Sequence, residues 1–175
     1  GRIREFERIC RQQALATARR HLPPGRKLFL NTSAAALRDE ELLGGGLVRA
    51  AARAGLTPAE VALEITERVA VEERRSYHEA LRELKRDGFG IAVDDVEAGY
   101  ASLQALVEIE PDFMKFDVSM VRHIDRSLIK RSLLETLVDL SRRIGAEVVA
   151  EGIEGEAELA TLTDLGVRLG QGRHL

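Results

Sequence analysis

Apolar residues fall in two alternating patterns along the chain. Stretches with helical spacing are separated by short runs that are apolar at every position. Ile3 to Arg20 is the first helical stretch, with Ile3, Phe6, Ile9 or Cys10, Gln13 and Ala14 as its recurring face. His21-Leu22-Pro23-Pro24-Gly25 ends it, and Leu28-Phe29-Leu30 follows, closing on Asn31. The order then repeats. Helices are predicted over Leu37 to Ala54 (loosened by Gly44-Gly45-Gly46), Val71 to Asp87, about Ser102 to Val107, Ser127 to Ile144 and Glu156 to Leu165. Tyr77, Leu81 and Leu84 share a face in one of them; Leu134, Leu137, Ser141 and Ile144 do so in another. Between them lie the strand candidates Val61-Ala62-Leu63, Ile91-Ala92-Val93, Phe113 to Phe116, Val148-Val149-Ala150 and Val167-Arg168-Leu169. Gly55, Gly88, Gly145 and Gly166 each stand between a helix and the next strand, where glycine closes a helix in the left-handed conformation. Strands that are apolar throughout suit a parallel sheet covered on both faces. The recurrence is the βαβ rhythm, and no linker divides it, so residues 1–175 read as one domain.

Each strand candidate ends on a polar group. In order these are Asn31, Glu64, Asp94 with Asp95, Lys115 with Asp117, Glu151 and Gln171. A closed (β/α) barrel gathers such ends on one face, whereas an open doubly wound sheet uses only the crevice where strand order reverses. Polar ends on all six strands favour the barrel. Converging carboxylates would repel one another and raise each other's pKa. Oxygen ligands without histidine or cysteine suit Mg²⁺, Ca²⁺ or Mn²⁺. Two such ions near a lysine suit in-line cleavage of a phosphodiester. The bland alternative is that a carboxylate at a strand end caps the next helix, and that Glu5, Glu7, Glu72 and Glu73 are solvated helix faces.

Composition narrows the field. With 26 basic and 29 acidic residues the formal charge is −3, which gives no electrostatic footprint for a nucleic-acid polymer. Apolar residues at 45% exclude a disordered chain. Cys10 is the one cysteine and cannot form an internal disulfide, which reads as cytoplasmic. No apolar run reaches the roughly 20 residues of a membrane span.

The blocks Asn31-Thr32-Ser33, Glu64-Ile65-Thr66-Glu67, Asp94-Asp95-Val96-Glu97-Ala98-Gly99, Lys115-Phe116-Asp117, Ala150-Glu151-Gly152-Ile153-Glu154 and Gln171-Gly172 resemble, in order and spacing, the EAL domain family. That resemblance implies a modified TIM (β/α) barrel and a cyclic-di-GMP phosphodiesterase giving pGpG with Mg²⁺ or Mn²⁺ in a two-metal site. It implies Asn31, Glu64, Asp94, Asp95 and Glu151 as metal ligands, and Lys115, Glu151 and Gln171 as catalytic residues. Glu67 would anchor the loop after Asp95, and Asp117 and Gln171 would contact substrate. Homodimers and attachment to a larger signalling protein are further expectations. The family's E-A-L glutamate belongs to a first strand ahead of Gly1, so the barrel is expected to be incomplete here, lacking that strand and its extreme C-terminal end. Glu79-Ala80-Leu81 sits mid-helix and is assigned no catalytic role. Val96 and Glu97 replace the usual Phe-Gly of the loop, and Arg173 replaces an aromatic residue. These departures keep a second reading open, a non-catalytic module that binds cyclic-di-GMP or a protein partner.

Overall fold

A computed structural model of the chain describes residues 2–66, 74–96 and 106–175. It divides into two compact units, Gly1–Ala92 and Val93–Leu175.

The first unit begins with α1 (Arg2–His21), β1 (Leu28–Asn31), a 3₁₀ turn at Ala36–Arg38 and α2 (Gly46–Arg53). A second 3₁₀ turn at Pro58–Glu60 leads into β2 (Val61–Thr66) and α3 (Arg74–Arg86), and β3 (Gly90–Val96) crosses the boundary between units. The second unit continues with β4 (Phe113–Phe116), α4 (Val118–Val121), a 3₁₀ turn at Ile124–Arg126, α5 (Leu128–Ile144), β5 (Glu147–Glu151), α6 (Glu156–Asp164) and β6 (Leu169–Gln171). The strands form one sheet in chain order, β1-β2-β3-β4-β5-β6. The pairs β1/β2, β4/β5 and β5/β6 are parallel.

The apolar strand runs are explained by burial on both faces: Val61 to Ile65 and Phe113 to Phe116 are buried at every position. Two strands outrun their apolar cores. β2 extends to Thr66, and β3 carries Asp94, Asp95 and Val96 within the strand. At the end of α5, Gly145 has φ +78° and its amide donates to Arg142 O, while Ala146 N donates to Ser141 O. This is the left-handed glycine closure expected between helix and strand. The other three predicted positions, Gly55, Gly88 and Gly166, share the positive φ.

Four expectations need correction; in the first, the last strand, expected at Val167-Arg168-Leu169, runs instead over Leu169–Gln171. The predicted helix Leu37 to Ala54 is a 3₁₀ turn followed by α2, because Gly44 and Gly45 take φ +58° and +70° and cannot continue a right-handed helix. The buried positions of α1 are Arg11, Leu15 and Ala18, one step round from the predicted face, and Phe6 and Ile9 are exposed. On α5, Val138 is buried with Leu134, Leu137 and Ser141, whereas Ile144 lies 45% exposed in the last turn. By contrast, α3 buries Tyr77, Leu81 and Leu84 as predicted, and Glu79-Ala80-Leu81 lies within it. Among the described residues no helix is long and apolar enough to cross a membrane.

Candidate active site

In the second unit the strand ends bring acid and base together. Lys115 projects from β4, where it is level with Val149 of β5, two residues short of Glu151. Side chains alternate along a strand, so Lys115 and Glu151 share one face of the sheet. Lys115 Nζ lies 2.5 Å from Glu151 Oε1 and 3.0 Å from Asp94 Oδ1. The lysine is 5% exposed. Burying an ammonium is costly unless it is paired, and here two carboxylates from β3 and β5 pair it. Gln171 of β6 is level with Glu151 and completes the row of strand ends.

Asp95 sits at the edge of this group with φ +57°, a left-handed conformation uncommon outside glycine and tolerated best by Asp, Asn and His. Burial pushes its carboxyl pKa above the ordinary 3.8; the negative charges of Asp94, Asp117 and Glu151 push the same way, against Lys115. One ammonium thus faces four carboxylates. Asp117 has a second employment. Its Oδ1 accepts from Ser119 N at 2.7 Å and caps α4, and the Ser119 hydroxyl foremost, then this amide, holds the carboxyl pKa below 3.8. The bland reading of a strand-end carboxylate is therefore correct for the position of Asp117, while Asp94 and Glu151 make no such cap among the described residues.

In the first unit, Asn31, the last residue of β1, is the register partner of Glu64, which lies two residues short of the end of β2, and Thr32 N donates to Glu64 O at 2.8 Å. Glu64 is buried and Asn31 exposed. Both line an open cavity of about 550 Å³ whose lining also includes Glu7, Cys10 and Arg11 of α1. Glu67 lies outside the described residues, as do Glu97 and most of the predicted helix Ser102 to Val107. Val96, which stands where a phenylalanine is usual, is fully buried.

The donor set suits a hard divalent cation. It consists of oxygen atoms, and negative charge exceeds positive. Asp94 Oδ1 is shut off from solvent and makes no hydrogen bond; its ion-pair partner Lys115 stands off the hydrogen-bonding direction. Each unit thus groups its own predicted residues: Asn31 with Glu64 in one, and Asp94, Asp95, Lys115, Asp117, Glu151 and Gln171 in the other.

Sequence reasoning missed the fastening of these strand ends. Gly152, directly after Glu151, has φ +69°, and a Cβ there would collide with the Val118 side chain. Glu158 of α6 accepts from His123 N at 2.8 Å and from Glu154 N at 3.0 Å, and Arg122 pairs with Glu154 at 3.0 Å. Part of this was available as a signal. Glu158 is the third residue after the N-cap Gly155, where a glutamate can reach back over the start of its helix. The link to His123 had none.

Comparison with known proteins gives a consistent picture. The family model described as EAL domain matches residues 1–175. The probable cyclic di-GMP phosphodiesterase PdeA of Escherichia coli is 32% identical over 130 residues, covering 74% of this chain and 18% of that protein. The Klebsiella pneumoniae BlrP1 manganese/cy-diGMP complex superposes with a TM-score of 0.87 at 32% identity, over 97% of this chain and 43% of the other. A standalone EAL protein from Vibrio cholerae O395 in its c-di-GMP bound form gives 0.83 at 29% identity, over 95% and 70%. The chain therefore spans less than a fifth of the length of the Escherichia coli relative.

Proposed function

This chain belongs to the EAL domain family, and on that footing we propose that it forms one EAL-type domain that hydrolyses one phosphodiester bond of cyclic-di-GMP to give pGpG. The observation that carries the reading is Lys115, buried between Asp94 and Glu151 at neighbouring strand ends. An ammonium held this way has no packing advantage over a methionine, and the surplus of carboxylates around it suits cations that can in turn carry an anionic phosphodiester.

The proposed ligands for two Mg²⁺ or Mn²⁺ ions are Asn31, Glu64, Asp94, Asp95 and Glu151. Bound there, the ions supply Lewis acidity to the phosphodiester. The protein's own groups do the rest. Lys115 offsets charge that builds on the phosphate oxygens, and Glu151 accepts a proton from the attacking water. Gln171, level with Glu151, orients the substrate. Asp117 meets the substrate with the carboxylate edge left free by its cap, and Glu67 anchors the loop after Asp95. A homodimer within a longer cytoplasmic signalling protein completes the reading.

The test is hydrolysis of cyclic-di-GMP with Mn²⁺ by the natural full-length protein. The expected result is pGpG from the parent and a loss of about a hundredfold or more in Lys115→Ala. Tight nucleotide binding without turnover by the parent would instead identify a non-catalytic binding module.

A further inference from the structure

We propose that Glu158 is a positioning residue for Glu151: it clamps the exit of β5 to the exit of β4 and so fixes the Glu151 carboxylate against Lys115. The proposal deepens the phosphodiesterase reading of that site and rests on it.

Glu158 is 7% exposed. Its two oxygens are divided between two segments. Oε2 accepts from the amide of Glu154, three residues past Glu151; Oε1 accepts from the amide of His123, six residues past Asp117. Ionised acceptors make the stronger hydrogen bonds, and the His123 amide foremost holds the Glu158 carboxyl below its ordinary value, against burial. His123 has φ +58°, in the left-handed region that histidine tolerates better than most L-residues. A glutamate at the third helical position commonly caps its own helix. An oxygen spent on a residue 35 positions away exceeds that local need. Two further contacts join the same segments: Val118 packs on Gly152, and Arg122 pairs with Glu154. The ion pair is about half exposed on both sides and adds little. The buried carboxylate is therefore the main polar tie between these two segments, while Ile153 N donating to Gln171 O at 3.2 Å ties the β5 exit separately to β6.

His123, Asp125 and Glu158 also bring donor atoms within 4.8 Å of one another. That group is a clamp rather than an ion site. Both Glu158 oxygens already serve backbone amides, and Asp125 pairs with Arg126 at 3.1 Å.

Loosening the clamp lets the β5 exit drift, and small misplacements of a reacting group lower turnover without weakening substrate binding. The experiment compares Glu158→Ala, Glu158→Gln and the control Glu156→Gln, an exposed acid on the same helical turn, in the full-length protein. Hydrogen exchange at the amides of His123 and Glu154 reads the clamp, and kcat and KM for cyclic-di-GMP with Mn²⁺ read its consequence. In Glu158→Ala both amides should lose protection and kcat should fall about tenfold or more, with KM within about threefold. Glu158→Gln, which keeps one acceptor, should fall between Ala and parent and carries the test if Glu158→Ala does not fold. Glu156→Gln should match the parent. Unchanged kcat in variants whose amides have lost protection overturns the proposal. A parent that does not turn over cyclic-di-GMP defeats the phosphodiesterase reading instead. Calorimetric titration with Mn²⁺ alone then decides the positioning: at least about threefold weaker binding in Glu158→Gln supports it, and equal binding overturns it.

Discussion

Lys115 Nζ stands 2.5 Å from Oε1 of Glu151, across the β4/β5 pair, in surroundings that leave the lysine 5% exposed. The contact is costly to form and more costly to break from one side. Lys115→Met is expected to lower unfolding free energy by roughly 3 kcal/mol at neutral pH without added metal, because Asp94 and Glu151 lose their counter-charge while remaining largely buried. Denaturant titration checks this. A variant as stable as the parent would mean that the pair is not held as described.

Gly152 and Gly145 make a matched pair for a second prediction. Both have positive φ, but a Cβ on Gly145 meets open space and one on Gly152 meets Val118. Gly145→Ala should cost about 1 kcal/mol, the conformational term alone. Gly152→Ala should cost about 2–4 kcal/mol, since overpacking is added. Thermal melts of the two variants compare these. Equal losses would show that Val118 yields without penalty.

The pH dependence follows from Glu158. Its carboxyl titrates below 4.5 in the folded chain, chiefly through the His123 amide. A carboxyl depressed by folding stabilises the fold fully above its unfolded pKa, and that contribution is lost as pH falls through the folded value. Stability of the parent should therefore drop, as pH falls from about 5 through the lowered folded value, more steeply than that of Glu158→Gln, which has no proton to take up there. Urea titrations across that range measure it, and identical slopes would contradict the assignment.

Much of the site was legible because parallel strands buried on both faces have no use for polar residues until they end. Asn31, Glu64, Lys115 and Glu151 stood out against apolar runs; Asn31 and Glu151 end their strands, Lys115 is one residue short of the end of β4, and Glu64 is two short of the end of β2. Backbone conformation was harder to read. Nothing in Asp94-Asp95 announces that the second residue takes φ +57°. The break in Leu37 to Ala54 turned on whether three glycines would bend or end a helix, and two left-handed residues end it. The face of α1 was misread because its buried side includes Arg11, whose charge is met by Asp39 at 3.6 Å, while Phe6 and Ile9 stay in solvent. Glu158 looked like one more acidic residue opening a surface helix. Its burial depends on His123, a partner that no local pattern brings near.

The proposed function stands or falls with divalent cations bound by the oxygen donors beside Lys115 and Glu151. Anomalous diffraction from crystals grown with Mn²⁺ and cyclic-di-GMP tests it most directly. Manganese peaks are expected within about 2.0–2.6 Å of carboxylate oxygens of Asp94 and Glu151, with Glu64 and Asn31 also coordinated. Nucleotide bound at these strand ends with no manganese on Asp94 or Glu151 would contradict it.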